Sequence, residues 1–284
     1  MKGDVQAASK FVAAFQGERG SFSSSAACKL LGSRVPVRPC ESFKDVFHAV
    51  ERGAVTHAVI PIENTLHGSV HENYDHLLDY DLPICGETSI RISHNLIALP
   101  GTRFSEIRRA FSHPVALNQC RSFFEKYKKI EPVAFYDTAG SVKMLKEQNP
   151  PASAAIASET AAEMYGGVVL KSNIEDDRQN FTRFFLLSKR NAPPKSATGE
   201  WKTSIVFSTP NTPGALFRAM ACFALRDLNL TKIESRPLRA KPWEYLFYLD
   251  ITGSHDDTRV KSAMANLGEM TNFLKVLGSY RPTP

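Results

Sequence analysis

No run of this 284-residue chain approaches the ~18 consecutive apolar residues that a membrane-spanning helix needs. Its first residues, Met1-Lys2-Gly3-Asp4 and on to Lys10, also lack the apolar core of a secretory signal. Five cysteines, Cys28, Cys40, Cys85, Cys120 and Cys222, form no close pair and leave one over. Neither a zinc site nor a disulfide framework is therefore expected, and the chain reads as reduced and cytoplasmic. Phosphate-binding glycine fingerprints are missing, since Gly17-Glu18-Arg19-Gly20 fits neither the dinucleotide nor the P-loop spacing. No Gly-x-Ser-x-Gly elbow occurs, so Ser112-His113 has no companion for serine catalysis. His67 and His71 are four apart and suit one helix face, but no third ligand stands near them. Lys and Arg exceed Asp and Glu by 35 to 29, a net +6, yet they are scattered. The densest groups, Arg108-Arg109 and Lys126-Lys128-Lys129, read as solvated helix faces rather than a nucleic-acid footprint. A modest positive excess suits a small anionic substrate.

What is present is ordinary globular material: 43% hydrophobic and 23% charged residues exclude disorder and fibrous repeats. At roughly 150 residues per domain the length predicts about two domains. A polar stretch, Lys189 to Gly199, with Pro193-Pro194, reads as the linker between them. Before it, short apolar runs at Phe11–Phe15, His57–Ile62, Ile90–Leu99, Arg109–Ser112 and Ala154–Ala157 each lead into polar turns or amphipathic stretches. Strand, turn and helix in repetition predict a parallel α/β architecture, with ligands at the strand ends. After the linker the order changes. Strands at Thr203–Ser208, Leu230–Ser235, Tyr245–Thr252 and Phe273–Leu277 alternate with helices at Pro213–Arg226 and Asp256–Glu269, a ferredoxin-like βαββαβ unit.

Four clusters carry polar groups beyond what turns require. In Gly17-Glu18-Arg19-Gly20-Ser21-Phe22-Ser23, two glycines and two hydroxyls precede a helix, which suits an anion nest or a plain N-cap at Ser21 or Ser23. Ile62-Glu63-Asn64-Thr65, with Gly68-Ser69 beyond, ends a strand in a carboxyl, an amide and a hydroxyl. Glu63 is a candidate proton source if apolar surroundings raise its pKa. Ser112-His113-Pro114 leads to Gln119-Cys120, where Cys120 reads as core and the Gln119 amide can reach a cleft. Asn180-Phe181-Thr182-Arg183-Phe184 sets Arg183 between Phe181 and Phe184, a carboxylate clamp in an apolar wall or an ordinary strand arginine.

These four clusters, in this order, resemble the prephenate dehydratase family, including its arogenate dehydratase branch. Asn211-Thr212-Pro213-Gly214-Ala215-Leu216 and Ile233-Glu234-Ser235-Arg236-Pro237 resemble the two phenylalanine-binding motifs of that family's ACT domain. The resemblance spans about Phe11 to Tyr280 and implies a two-lobed, type II periplasmic-binding-protein-like α/β catalytic domain followed by a ferredoxin-like ACT domain. The implied bounds are 11–190 for catalysis, with lobe one at about 11–88 and 170–190 and lobe two at 89–169, then 202–281 for regulation. Implied too is a decarboxylating 1,4-elimination of water from prephenate, with no cofactor and no metal.

On that resemblance Thr182 eases the departing hydroxyl, Gln119 assists, and Asn64 holds substrate. Arg183, Ser21, Ser23, Thr65, Ser112 and Phe184 surround the substrate. Asn211, Pro213, Gly214, Ala215, Leu216, Asn229, Glu234 and Ser235 take L-phenylalanine as effector, in a homodimer or dimer of dimers. Neither nucleic acid nor membrane is an expected partner. Two alternatives stay open: arogenate as substrate, for which Asp137-Thr138-Ala139-Gly140-Ser141-Val142 is the segment to inspect, and an amino-acid-binding receptor or sensor without turnover.

Overall fold

A computed structural model describes residues 11–190, 194, 197–238 and 244–284; the start of the chain and the middle of the expected linker lie outside the described residues. Two compact units emerge. One holds the described residues up to Tyr74 together with Ser89–Phe184; the other holds Asp75–Thr88 and the described part of Phe185–Pro284.

The first unit contains two sheets. Strands β1 (Ala13–Gln16), β2 (Val37–Cys40) and β3 (His57–Asn64) are parallel, with β1 in the middle. The short β4 (Gly68–Ser69) folds back on β3. Next in that sheet come β11 (Phe181–Leu187) and β5 (Ile84–Arg91), the two strands along which the chain passes between units. Helices α1 (Phe22–Leu31) and α2 (Phe43–Glu51) follow β1 and β2. Val46, Phe47, Ala49 and Val50 are the buried stripe of α2, spaced as a helix face requires. Helix α3 (His71–Asp79) follows β4, so His67 lies in a turn before it and shares no helix with His71.

The second sheet has the order β10-β6-β9-β7-β8. Its strands are β6 (Asn95–Ala98), β7 (Arg109–Ser112), β8 (Glu131–Ala134), β9 (Ser153–Ala157) and β10 (Val168–Lys171). Helices α4 (Pro114–Asn118), α5 (Arg121–Lys126), α6 (Thr138–Gln148) and α7 (Glu159–Tyr165) surround it. Two sequence expectations need correction here. The predicted long strand Ile90–Leu99 is two strands: at residues 92–94 the backbone leaves one sheet for the other, Ile92 N–H donating to Asn180 O and His94 N–H to the Glu175 carboxylate. And the sheet is mixed, because β6 runs antiparallel to β9 and β10. Apolar periodicity reads burial and is silent on strand direction.

Gly20 marks how closely the two halves of this unit meet. Its φ is +81°, and a Cβ there would lie 3.0 Å from the Ala161 Cα of α7. Gly20→Ala should cost about 1–3 kcal/mol through left-handed strain and this contact, read as a fall in thermal unfolding temperature.

The second unit carries β12 (Lys202–Ser208), α8 (Ala215–Ala224), β13 (Leu230–Pro237), β14 (Tyr245–Thr252), α9 (Thr258–Met270) and β15 (Phe273–Tyr280). The sheet order β13-β14-β12-β15 is the antiparallel βαββαβ arrangement expected from the sequence. Its core is Ile205, Phe207, Ala219, Phe223, Leu249, Ile251, Val260 and Leu267. The C-terminal β16 (Pro282–Thr283) pairs with the Glu87–Thr88 end of β5.

Candidate active site

The strand–helix turn after β1 is built for close approach. Gly17 has φ +103°, and a Cβ there would sit 2.9 Å from Asp137 Oδ2. Ser21 caps α1, its hydroxyl accepting from Ser24 N–H at 3.3 Å. The same turn is held from the second sheet's side. Glu18 accepts from Lys143 Nζ at 3.1 Å and from the Tyr136 hydroxyl at 2.9 Å. Ser158 Oγ donates to Gly20 O at 2.7 Å.

The turn after β3 clasps the start of β11. Thr65 Oγ1 donates to Gln179 O at 2.8 Å and accepts from Phe181 N–H at 3.0 Å. Asn64 Oδ1 accepts from the backbone N–H groups of Leu66 and His67 at 2.9 and 3.0 Å. That leaves its amide nitrogen as donor, to Asn180 Oδ1 at 2.8 Å, Phe181 O at 3.2 Å and Thr182 Oγ1 at 3.0 Å. A hydroxyl that accepts from Asn64 keeps its own proton to give elsewhere. Across from it, Gln119 ends α4 and touches two histidines: His94 Nε2 at 2.7 Å and His67 Nδ1 at 3.2 Å. His94 is 2% exposed, and burial holds its pKa below the ordinary imidazole value.

Ser21, Asn64, His67, His94, Gln119 and Thr182 line one cleft of about 650 Å³ within the first unit. Of the residues proposed from sequence, Ser21, Ser23, Asn64, Gln119 and Thr182 are in its lining. Glu63, Thr65, Ser112, Arg183 and Phe184 are not. Alternation explains two of these: neighbours on a strand face opposite ways, so Asn64 and Thr182 inward place Glu63 and Arg183 on the other face. Ser112 is fully buried with its hydroxyl given to Ile156 O at 2.6 Å, Phe184 is core, and Thr65 is spent on the clasp. Cys120 is also fully buried, and burial pushes its thiol up, as suits a core residue.

The N-termini of α1, α2 and α6 open into the cleft through Phe22-Ser23, Ser42-Phe43 and Asp137-Thr138. Each helix has nine or more residues, so unpaired N–H groups and a positive dipole end face the cavity. Its lining contains no lysine or arginine among the described residues, and three carboxylates, Glu41, Glu72 and Asp137. Asp137 accepts from Gly140 N–H at 2.7 Å, yet burial still raises its pKa above the ordinary carboxylate value.

In the second unit, Ser235 pairs with Phe247 and Phe247 with Phe207, so both motif segments lie toward the same end of the sheet. Gly214, at φ +74°, begins α8 with no side-chain cap. Glu234 lies 3.6 Å from Lys232 Nζ, and Arg236 pairs with Asp75 at 3.0 and 3.1 Å.

A family profile described as prephenate dehydratase matches residues 13–192. The chain belongs to the prephenate dehydratase family. It is 45% identical to arogenate dehydratase/prephenate dehydratase 2, chloroplastic, of Arabidopsis thaliana, over 97% of this chain and 74% of that one. The solved prephenate dehydratase of Arthrobacter aurescens in complex with L-Phe is 33% identical with a TM-score of 0.86, covering 95% of this chain and 90% of the other. A structure described as GqqA, a novel type of quorum quenching acylase, is 32% identical with a TM-score of 0.87, covering 96% and 98%.

One expectation is overturned by these relatives. The Arabidopsis relatives numbered 2, 1 and 6 are chloroplastic, so a cytoplasmic assignment does not stand. It rested on unpaired cysteines and on the want of a secretory signal, and an organelle interior that keeps thiols reduced satisfies both equally. Sequence reasoning also passed over His94, Glu41 and Glu72 as cleft residues, and saw His67 only as a possible metal ligand. An isolated polar residue inside an apolar run, such as His94, gives no local signal of what it faces.

Proposed function

We propose that this chain is a dehydratase of L-phenylalanine biosynthesis, acting on prephenate or arogenate by decarboxylating 1,4-elimination. The Asn64–Thr182 hydrogen bond carries this reading, because it leaves a hydroxyl proton free in a cleft ringed by helix N-termini. The ring carboxylate departs as carbon dioxide, its bonding pair enters the ring, and the C4–O bond breaks as the ring becomes aromatic. Hydroxide leaving without help would be costly. Thr182 donates a hydrogen bond to that oxygen as charge develops, and Gln119 adds a second donor. Helix N-termini replace the Arg183 clamp as the groups that receive the substrate carboxylates.

Three carboxylates in the lining, two of them beside those N-termini, favour arogenate, whose side chain bears an ammonium as well as a carboxylate. The dual name of the 45% identical relative agrees with this. Asp137 is the best-placed partner for an ammonium: a desolvated carboxylate gains most from an arriving cation. Asp137→Asn keeps the cap on α6 and should lower kcat/KM for arogenate by about 10-fold or more relative to prephenate, the worth of one charge-assisted hydrogen bond. Its effect on stability has the opposite sign. A carboxyl whose pKa is raised on folding binds its proton more tightly in the folded state, so it loses stability as pH rises through that folded value. The Asn variant should therefore melt at or above wild type at pH 7, with the difference shrinking toward pH 4.

The second unit is proposed as the ACT regulatory domain, about 202–281, following a catalytic part at about 11–190 with lobes near 11–88 with 170–190 and 89–169. Backbone N–H groups at the start of α8, at Asn211–Leu216, receive the carboxylate of L-phenylalanine, and Glu234 with Ser235 orients its ammonium. Asn229 precedes β13 at the opposite end of that strand from Ser235, with its carbonyl taken by Thr252 N–H at 2.9 Å. Phe217, Leu225, Ile233 and Val276, 76%, 82%, 50% and 45% exposed, support pairing of copies through this unit into a dimer or dimer of dimers. The deciding assay follows both substrates with and without L-phenylalanine. Aromatic product from at least one, slowed by L-phenylalanine, is expected; binding without turnover of either would leave a sensor.

A further inference from the structure

We propose that His94 is a positioning residue that locks the Gln119 amide with its oxygen inward, so that Gln119 faces the substrate only as a donor. This rests on the dehydratase reading above. A primary amide presents an acceptor and two donor hydrogens, and which end meets the substrate decides whether Gln119 helps or opposes a departing oxygen. Its partners settle the choice.

His94 approaches Gln119 through Nε2 at 2.7 Å, and its Nδ1 has no hydrogen-bond partner among the described residues. A neutral imidazole carries one N–H. Were that proton on Nδ1, a buried donor would stand unpaired. On Nε2 it meets the Gln119 Oε1, and only a lone pair is left bare, the lesser cost. Burial opposes the doubly protonated ring. The Phe22 ring edge meets the imidazole with centroids 5.8 Å apart at 77°, which resists rotation of the ring.

With Oε1 occupied, the Gln119 nitrogen has two hydrogens to place. One goes to His67 Nδ1 at 3.2 Å, which fixes His67 as its Nε2–H form. The other has no protein acceptor among the described residues, and Gln119 lines the cleft. It is the donor offered to the leaving hydroxyl. His67 Nδ1, bare in that form, accepts from Gln119 and has no proton for Asn64 Oδ1, 3.3 Å away, so two separate sets result, His94–Gln119–His67 and Asn64–Thr182. Gln119 and Thr182 thus each keep a hydrogen for the cleft, each held by its own partner, His94 and Asn64.

Three measurements test the assignment. Nitrogen-15 NMR of the wild-type histidines should find His94 protonated at Nε2 and bare at Nδ1 across pH 6–8; protonation at Nδ1 overturns the proposal even if every variant misfolds. His94→Phe should lower kcat about 10- to 100-fold, the usual loss when a supporting partner is removed, with KM changed less than about threefold. His94→Gln, whose amide N–H can still donate to Gln119, should recover most of that kcat. If both variants melt alike and lose kcat alike, or if His94→Phe retains wild-type kcat, His94 does not set the amide. Should wild type turn over neither prephenate nor arogenate, the dehydratase reading fails, while the NMR result still decides the tautomer and the amide orientation.

Discussion

Thr182→Ala should lower kcat by about 10²–10³-fold and leave KM within a few-fold of wild type. The magnitude is that of one donor aimed at charge that develops only as the C4–O bond breaks. If substrate carboxylates are received at helix N-termini elsewhere in the cleft, as proposed above, the ground state loses little when the hydroxyl goes. Folding should be nearly unchanged, because Thr182 is 9% exposed beside the cleft and the Asn64 amide retains Asn180 Oδ1 and Phe181 O as acceptors. Thr182→Ser keeps the donor and should retain much of the activity. Equal kcat for Thr182→Ala and wild type, with both substrates at saturation, would remove Thr182 from the reaction.

Asn64→Asp tests the polarity of the same contact with almost no change in shape. The two hydrogens of the amide nitrogen are shared among Asn180 Oδ1, Phe181 O and Thr182 Oγ1. An ionised carboxylate has none to give. Two carbonyl-type oxygens would then face a negative oxygen, and the Thr182 proton would be drawn toward the new carboxylate and away from the leaving group. A loss of kcat of about 10²-fold or more is expected, together with a lower melting temperature. The pH dependence carries a definite sign: activity should recover as pH falls through the pKa of the new carboxyl, because its protonated form regains a donor. A pH-independent deficit would mean that Asn64 serves the turn alone.

Much of this protein was legible from local signals. The start of α1 was, because Ser21 caps it through a side chain whose preference for that position is intrinsic. The βαββαβ order of the second unit was as well, since four alternating strands and two amphipathic helices have few ways to bury their apolar faces. Strand direction in the second sheet of the first unit was not, and neither was the break at residues 92–94. His94 there donates its backbone N–H to a glutamate 81 residues on.

The same division holds at the site. Runs such as Asn64-Thr65 and Asn180-Phe181-Thr182 point to candidate site residues, because amides and hydroxyls gathered at strand ends exceed what turns require. By itself the sequence determined the family, the two-part α/β plan and the polar clusters from which a cleft is made. Only the tertiary structure decided that Thr182 faces inward and Arg183 outward, that three helix N-termini rather than the Arg183 clamp line the cleft, and that His94 backs Gln119. The reason is one of range. Propensity and periodicity act over a few residues, whereas the orientation of an amide or the desolvation of a carboxylate depends on groups brought together from distant parts of the chain.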